Sequence, residues 1–238
     1  MIICPNCHSG NIKKNGLTHN GKQNHKCKTC GRQFIKDNQH HVDGVLREIA
    51  RRCLLERISL RGISRVLGVS VVWLLDFAVQ TWQSVPDDLS TSLSAEALTT
   101  DGKLEVFGLQ MDEMWSFVQC KKNKVWIWVV YDPAHKQVIA FHLGGRDEYA
   151  LRKLWKKIPR AYRKHCQFAT DHYKAFQKVV PSGQHLIGKA HTHQIEGIFA
   201  TFRARMSRLV RRSQSFSKKL ANHQAAIAYF FWNFNLGC

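Results

Sequence analysis

Leu104-Glu105-Val106-Phe107-Gly108-Leu109-Gln110-Met111 runs straight into Asp112-Glu113-Met114-Trp115. The first eight residues read as a strand, and the strand delivers an acid at its end. Lys124 to Asp132 (KVWIWVVYD) is a second run, aromatic and β-branched, and Lys136 to Leu143 is a third. The interval Asp132-Pro133-Ala134-His135 suits a hairpin connection. Asp147 to Ile158 has Leu151, Leu154 and Trp155 at helical spacing. Cys166 to Asp171 is a short fourth strand that also ends in an acid, and Gln184 to Gly188 is a candidate fifth. One long helix is expected from about Thr192 to Arg212.

Three strands in a meander, a helix, a strand and a late helix is the order of a ribonuclease-H-like fold. In such folds acids from the first and fourth strands meet a third acid from the late helix. Asp112, Asp171 and Glu196 stand at those three places. Phosphodiester chemistry with magnesium or manganese needs this residue type, because hard divalent cations take oxygen ligands and work in closely spaced pairs. Acids are scarce here: from Leu151 to Cys238 only Asp171 and Glu196 occur. The alternative for each is an ordinary ion pair with a neighbouring arginine. Glu113 is expected to face the other side of its strand, and Asp132 to belong to a turn. Tyr173 is read as packing or DNA stacking, not as a nucleophile.

Upstream, Cys4-Pro5-Asn6-Cys7 and Cys27-Lys28-Thr29-Cys30 are two Cys-x-x-Cys pairs nineteen residues apart. Two such turns present four thiolates, the donor set of a closed structural zinc site. A module of about forty residues buries too little surface to fold unaided, so zinc would supply the deficit. Gly31 follows the second pair, where a turn favours positive φ. The alternative is two unrelated redox or buried pairs. His8 and His25 are expected at the surface, facing solvent or phosphate. Cys53, Cys120, Cys166 and Cys238 are read as ordinary thiols.

Residues 41–82 read as a helix-turn-helix. In Ile58 to Ser70 apolar residues recur at helical spacing, Gly68 suits the turn and Ser70 the next N-cap. The second helix, Val71 to Trp82, carries few base-reading side chains. A helix so apolar is usually buried or in an interface, so DNA contact and a dimerising bundle both stand open. Residues 83–103, with Pro86, Asp87, Asp88 and Gly102, form a linker with one short helix expected near Ala95–Leu98. The expected fold class is therefore α+β multidomain: zinc ribbon 1–40, helix-turn-helix 41–82, linker 83–103 and a ribonuclease-H-like α/β catalytic domain 104–238.

Charge speaks about partners. Thirty-six Lys and Arg stand against seventeen Asp and Glu, a formal net charge of +19. A polyanion is the natural partner, and nucleic acid the commonest. An anionic membrane surface competes, but no apolar run is long enough for a transmembrane helix and the first residues do not read as a signal peptide. An intracellular, cytoplasmic protein is expected, with no membrane partner. Lys26 and Lys28 of the ribbon, Arg61 and Arg65 of the helical unit, and Arg203, Arg205, Arg208, Arg211, Arg212, Lys218 and Lys219 after Glu196 are the candidate DNA contacts. A solvated basic face is the alternative for each group.

Taken together, Cys4-x-x-Cys7 and Cys27-x-x-Cys30, Asp112-Glu113-Met114-Trp115, Thr170-Asp171, Gln194-Ile195-Glu196, Arg208-Leu209 and Ser215-Phe216-Ser217-Lys218 resemble the transposases of the insertion-sequence-one family. The resemblance implies an Asp-Asp-Glu triad of Asp112, Asp171 and Glu196, with Arg203 as the basic residue two turns past the glutamate. It implies that the ribbon and helix-turn-helix bind terminal inverted repeats of double-stranded DNA, that the triad cuts and joins strands, and that two DNA ends are held by a homodimer or larger assembly in a prokaryotic, nucleoid-associated setting. The rivals are a transposase-derived DNA-binding regulator and a ribonuclease-H-like nuclease without strand transfer. Two positions depart from the family pattern: Gly197 stands where arginine is common, and Phe199 where asparagine is.

Overall fold

The computed structural model describes residues 2–36, 42–91, 108–210 and 215–237. Two compact units follow one another along the chain, residues 1–47 and residues 48–238. In the first, strands β1 (Ile12–Leu17), β2 (Gln23–Cys27) and β3 (Gln33–Ile35) form an antiparallel sheet in chain order. Gly31 has φ 75° in the turn after Cys30, where a side chain would be strained.

Helix α1 (Gly44–Cys53) is followed by α2 (Leu60–Leu67) and α3 (Val71–Gln83). Ser59 and Ser70 cap α2 and α3, their hydroxyls accepting from the backbone N–H of Gly62 and Trp73. Gly68 ends α2 at φ 65°, a left-handed cap that turns the chain into α3. Leu74, Phe77, Ala78, Thr81 and Trp82 face inward on α3, while Val72 is 79% exposed and Leu75 is also exposed. The expected boundary after the helix-turn-helix is not a break in packing. Leu55, Ala78 and Trp82 share one core with Ile195, Phe202 and Phe230 of the C-terminal region. The first part of the expected linker joins that core too: Leu89 is buried, and its carbonyl accepts from Asn235 Nδ2. The short helix expected near Ala95–Leu98 lies outside the described residues.

The larger sheet has five strands in the order β6-β5-β4-β7-β8, formed by β4 (Gly108–Phe117), β5 (Lys124–Asp132), β6 (Gln137–Gly144), β7 (Gln167–Thr170) and β8 (His185–Ile187). β4, β5 and β6 are an antiparallel meander; β7 pairs parallel with β4, and β8 parallel with β7. Parallel pairing needs a crossover, which α4 (Glu148–Lys157) and α5 (Arg160–His165) supply. α6 (Lys174–Val179) follows β7. One face of the sheet packs Leu109, Met111, Trp128 and Val130 against α4 and α6. The other packs Met114, Ile127 and Val129 against α7 (His193–Arg205) and α8 (Leu220–Asn235).

Three sequence expectations are corrected. The first strand does not stop at Met111: it runs through Asp112 to Phe117 because β5 pairs with it as far as Lys124. The late helix stops at Arg205, where extended Met206 turns the chain inward, and a short 3-10 turn, Ser207–Leu209, follows. α8, which the sequence reading did not assign, forms much of the second core through Ala226, Ile227, Phe230 and Phe231.

Gly197 lies in α7, and a Cβ built there meets nothing within 4 Å. Gly197→Ala is therefore expected to stabilise the chain by about 0.5–1 kcal/mol, because glycine in a helix interior costs about that much. Urea unfolding checks it, and a loss of stability would mean that the position is not open.

Candidate functional site

The N-terminal thiols converge. Cys4, Cys7, Cys27 and Cys30 bring their Sγ atoms within 4.8 Å of one another, with Cys4–Cys30 and Cys7–Cys27 each at 3.6 Å. Backbone N–H groups of Cys30 and Thr29 hold the Cys27 thiol down to about 6, which favours the thiolate that a metal needs. The donor set and spacing fit zinc. Lys28 is exposed and Lys26 half-buried. His25 is not at the surface as expected: it is buried and stacked on Phe34, ring centres 5.7 Å apart.

The acids are placed by the large sheet. The parallel register pairs Gln110 with Ala169; Asp112 lies two residues further on in β4, and Asp171 stands just past the end of β7, close enough for its charge to act on Asp112. Glu196 arrives on the first turn of α7. That helix is tied to β4 by one buried side chain: Gln110 Oε1 accepts from the backbone N–H of Ile195 at 2.8 Å, and its Nε2 donates to Gln194 Oε1 at 2.8 Å. Asp171 Oδ1 accepts from the backbone N–H of Tyr173. The carboxyl of Asp112 is pushed up to about 7, chiefly by burial, against the backbone N–H of Glu113 and with the charges of Glu113, Asp171 and Glu196 adding to the rise. Asp112 thus feels the charges of both other acids. Among the described residues, however, only the four thiols meet the spacing of a closed metal cluster.

Other expected site residues divide. Arg61, Arg65, Lys218 and Lys219 are exposed. Arg203 lies half-buried on α7, two turns beyond Glu196. Arg205 is turned to Glu56, at 3.1 Å, with its guanidinium over the Phe230 ring. Arg208 is held inward over the Trp82 ring at 4.7 Å and donates to Ser217 Oγ at 2.8 Å. Arg208 is therefore a packing residue rather than a surface contact, because the chain turns inward after Arg205. Arg211 and Arg212 lie outside the described residues. Phe199 is buried beside Phe202, so that position faces the core and not the acids. Asp132 is not in the turn as expected but closes β5, paired with Gln137, and its buried carboxylate holds the turn through the backbone N–H groups of Ala134 and His135 and the His135 ring.

Two groups escaped the sequence reading. Ser217 Oγ shares a hydrogen bond with His223 Nδ1 at 3.0 Å, so Arg208, Ser217 and His223 form one inward polar chain. Burial, helped by Arg208, pushes the His223 imidazole down to about 4, keeping it neutral. Arg146 pairs with Glu113 at 2.7 Å across 33 residues. No local pattern signals either one.

Residues 106–235, more than half of the 238-residue chain, match the family model described as IS1 transposase. The match takes in the sheet, all three acids and α8. The chain belongs to the IS1 transposase family. It is similar to the insertion element iso-IS1n protein InsB of Shigella dysenteriae, 31% identical over 121 residues, which are 51% of this chain and 91% of that protein. It is also similar to the insertion element IS1 2 protein InsB of Escherichia coli strain K12, at 29% over 121 residues and 71% of that protein's length.

Two outcomes are expected. Full-length protein should hold one zinc per chain by elemental analysis, and the Cys4→Ser, Cys27→Ser double variant none. The second concerns pH. The folded value of Asp112 lies above its ordinary 3.8, so its ionisation opposes folding; the cost is absent below about pH 4 and complete above about pH 7. Without divalent cations, Asp112→Asn should raise Tm at pH 8 and leave it unchanged near pH 4. Equal melting curves at pH 8 would remove the crowding account.

Proposed function

We propose that this IS1-family transposase carries out metal-dependent phosphodiester chemistry at Asp112, Asp171 and Glu196, in a ribonuclease-H-like domain. The observation that carries the reading is the parallel register of β4 and β7. It joins the two strands that lead to Asp112 and Asp171, in a chain of net charge +19, and Gln110 pins the helix that carries Glu196. Asp112 is raised chiefly by burial, and the charges of Glu113, Asp171 and Glu196 add to the rise; a hard cation held there would offset both. Magnesium or manganese held by the three acids would supply Lewis-acid stabilisation of the phosphoryl group and a nucleophile at neutral pH.

The protein's own groups bind and orient. Exposed Lys218 and Lys219, with Arg203, contact the DNA backbone from the catalytic region, and Arg61, Arg65, Lys26 and Lys28 add contacts to the duplex. The outward turn of α3, with Val72 and Leu75, meets the major groove, where apolar side chains can contact thymine methyl groups. The reaction is hydrolysis at the element's end to free a 3′-OH, followed by attack of that 3′-OH on target DNA with loss of the target's own 3′-OH. No protein–DNA covalent bond is required. Tyr173, the phenol nearest in sequence to Asp171, spends its proton on the carbonyl of Arg146 at 2.9 Å. The terminal repeats and a dimer or larger assembly belong to this reading.

A labelled duplex carrying the element's end tests it. In magnesium, wild-type protein should produce cut and joined strands, and Asp171→Ala should lose both by at least about a hundredfold while still binding. Binding without cutting or joining, in magnesium and in manganese, would leave a DNA-binding regulator; cutting without joining would leave a nuclease.

A further inference from the structure

On the opposite face of β4 from Asp112, at the same end of the sheet, lies an arrangement that the triad does not need. Glu113 is buried and directly follows Asp112. A second carboxylate beside a crowded one raises the repulsion there, and the charge of Glu113 adds to the rise of Asp112. An ion pair that buries its carboxylate is a poor source of stability, since taking the charge out of water costs about what the pairing returns. Moreover, Glu113 Oε2 is buried with no hydrogen-bond partner among the described residues. The pair is thus retained at a cost.

What Glu113 does is fix Arg146. Arg146 Nε donates to Glu113 Oε1 at 2.7 Å. The guanidinium carbon lies 4.7 Å from the centre of the Trp126 ring and 4.7 Å from that of Tyr173. Tyr173 and the loop that carries Arg146 are themselves anchored. Tyr173 donates its hydroxyl to the Arg146 carbonyl, and its backbone N–H to Asp171. Trp128 Nε1 donates to the carbonyl of Gly145, and Asp147 caps α4 on the other side. A long cationic side chain is rarely held at so many points on a surface loop. Its Nε is used, yet its two terminal nitrogens have no hydrogen-bond partner among the described residues, and the side chain is 44% exposed. Those two nitrogens offer donors in the planar geometry that suits a phosphate.

We propose that Arg146 is a phosphate-binding residue of the reaction site, with Glu113, Trp126 and Tyr173 as the residues that position it, and that it takes one backbone phosphodiester of the strand entering beside Asp112 and Asp171. The proposal rests on the reading of Asp112, Asp171 and Glu196 as the reaction site. It explains why the acid next to Asp112 is kept. Carboxylates repel the DNA backbone, and a cation immobilised beside them draws it in without a loss of side-chain freedom on binding.

The test is a cycle between one side chain and one phosphate. Duplexes carrying the element's end are made with a single neutral methylphosphonate, scanned across the cut site. Affinity of the full chain is measured in calcium. In wild type, one position near the cut should cost about tenfold or more, the range of a charged hydrogen bond. In Arg146→Ala that one penalty should vanish while the penalties elsewhere remain, and Glu113→Gln should shrink it. If removing Arg146 leaves an unpaired buried charge that prevents folding, the Glu113→Gln, Arg146→Gln double variant carries the same scan. An unchanged profile, or a uniform loss at every position, overturns the proposal and makes the cluster a structural tie. The unmodified duplex in magnesium separates the two failures. Wild type that cuts and joins, with Arg146→Ala keeping the full profile, sinks this inference alone. Wild type that neither cuts nor joins sinks the reading beneath it and this inference together.

Discussion

Two like charges held side by side will separate unless something stiffer than the charges prevents it. Here the stiff element is the parallel pairing of β4 with β7. Asp112 projects from β4 and Asp171 follows directly on β7, each two residues past a paired position, so the pairing of the two strands fixes where both acids start. The third acid rides on a helix, which is easier to displace, and Gln110 restrains it with both ends of one amide. Its position two residues before Asp112 puts it on the same face, so one strand both carries the first acid and sets the place of the last. The two cores on either side of the sheet supply the burial that makes this crowding tolerable.

The same constraint explains where the positive charge goes. Sequence alone suggests a continuous basic run after Glu196. In the fold that run is sorted: Arg205 faces Glu56, Arg208 lies over Trp82 and reaches Ser217, and Lys218 and Lys219 face solvent. Guanidinium groups tolerate partial burial when they can stack on rings, which ammonium groups do less well. Hence Arg205 and Arg208 tie α7 and the following turn to α8 and α3, and Lys218 and Lys219 stay at the surface. The Ser-Phe-Ser-Lys block has a corresponding split role. Ser217 is buried and joins Arg208 to His223, while Lys218 next to it is exposed.

Local signals were enough for much of this. The capped pair α2 and α3, the meander strands, α4 and the two Cys-x-x-Cys turns were all legible, because periodicity, N-caps and ligand spacing are short-range. The strand end at Asp112 was not. An acid looks like a stop, and only the β5 partner shows that the strand continues to Phe117. The end of α7 was hidden for a similar reason: Arg, Ala and Met are good helix formers, and the break at Met206 comes from burial of Met206 and Leu209. α8 is apolar around most of its surface, so its sequence lacks the polar face that marks a helix boundary. The apolar character of α3 now has a partner in Trp82 and Ala78 packing with α8, leaving its first turn outward. As for Glu113, its face was legible from strand alternation, but Arg146 stands 33 residues away and nothing in either segment announces the other.

Adjacency along β4 has a mechanical consequence. Asp112 and Glu113 are consecutive in a strand, so their side chains leave on opposite faces from one rigid piece of backbone. Asp171 and Tyr173 are linked almost as tightly, through the hydrogen bond from the Tyr173 N–H to the Asp171 carboxylate. Each acid of the central pair is thereby coupled to one wall of the Arg146 cluster. A displacement of β7 relative to β4 cannot move the acids without shifting Tyr173 against the guanidinium it covers. With Arg146 as the phosphate contact, the place where negative ligands gather and the place where the DNA backbone is gripped are set by the same two strands. Their separation is then a property of the sheet rather than of flexible side chains, which is what a reaction needing an aligned phosphodiester demands.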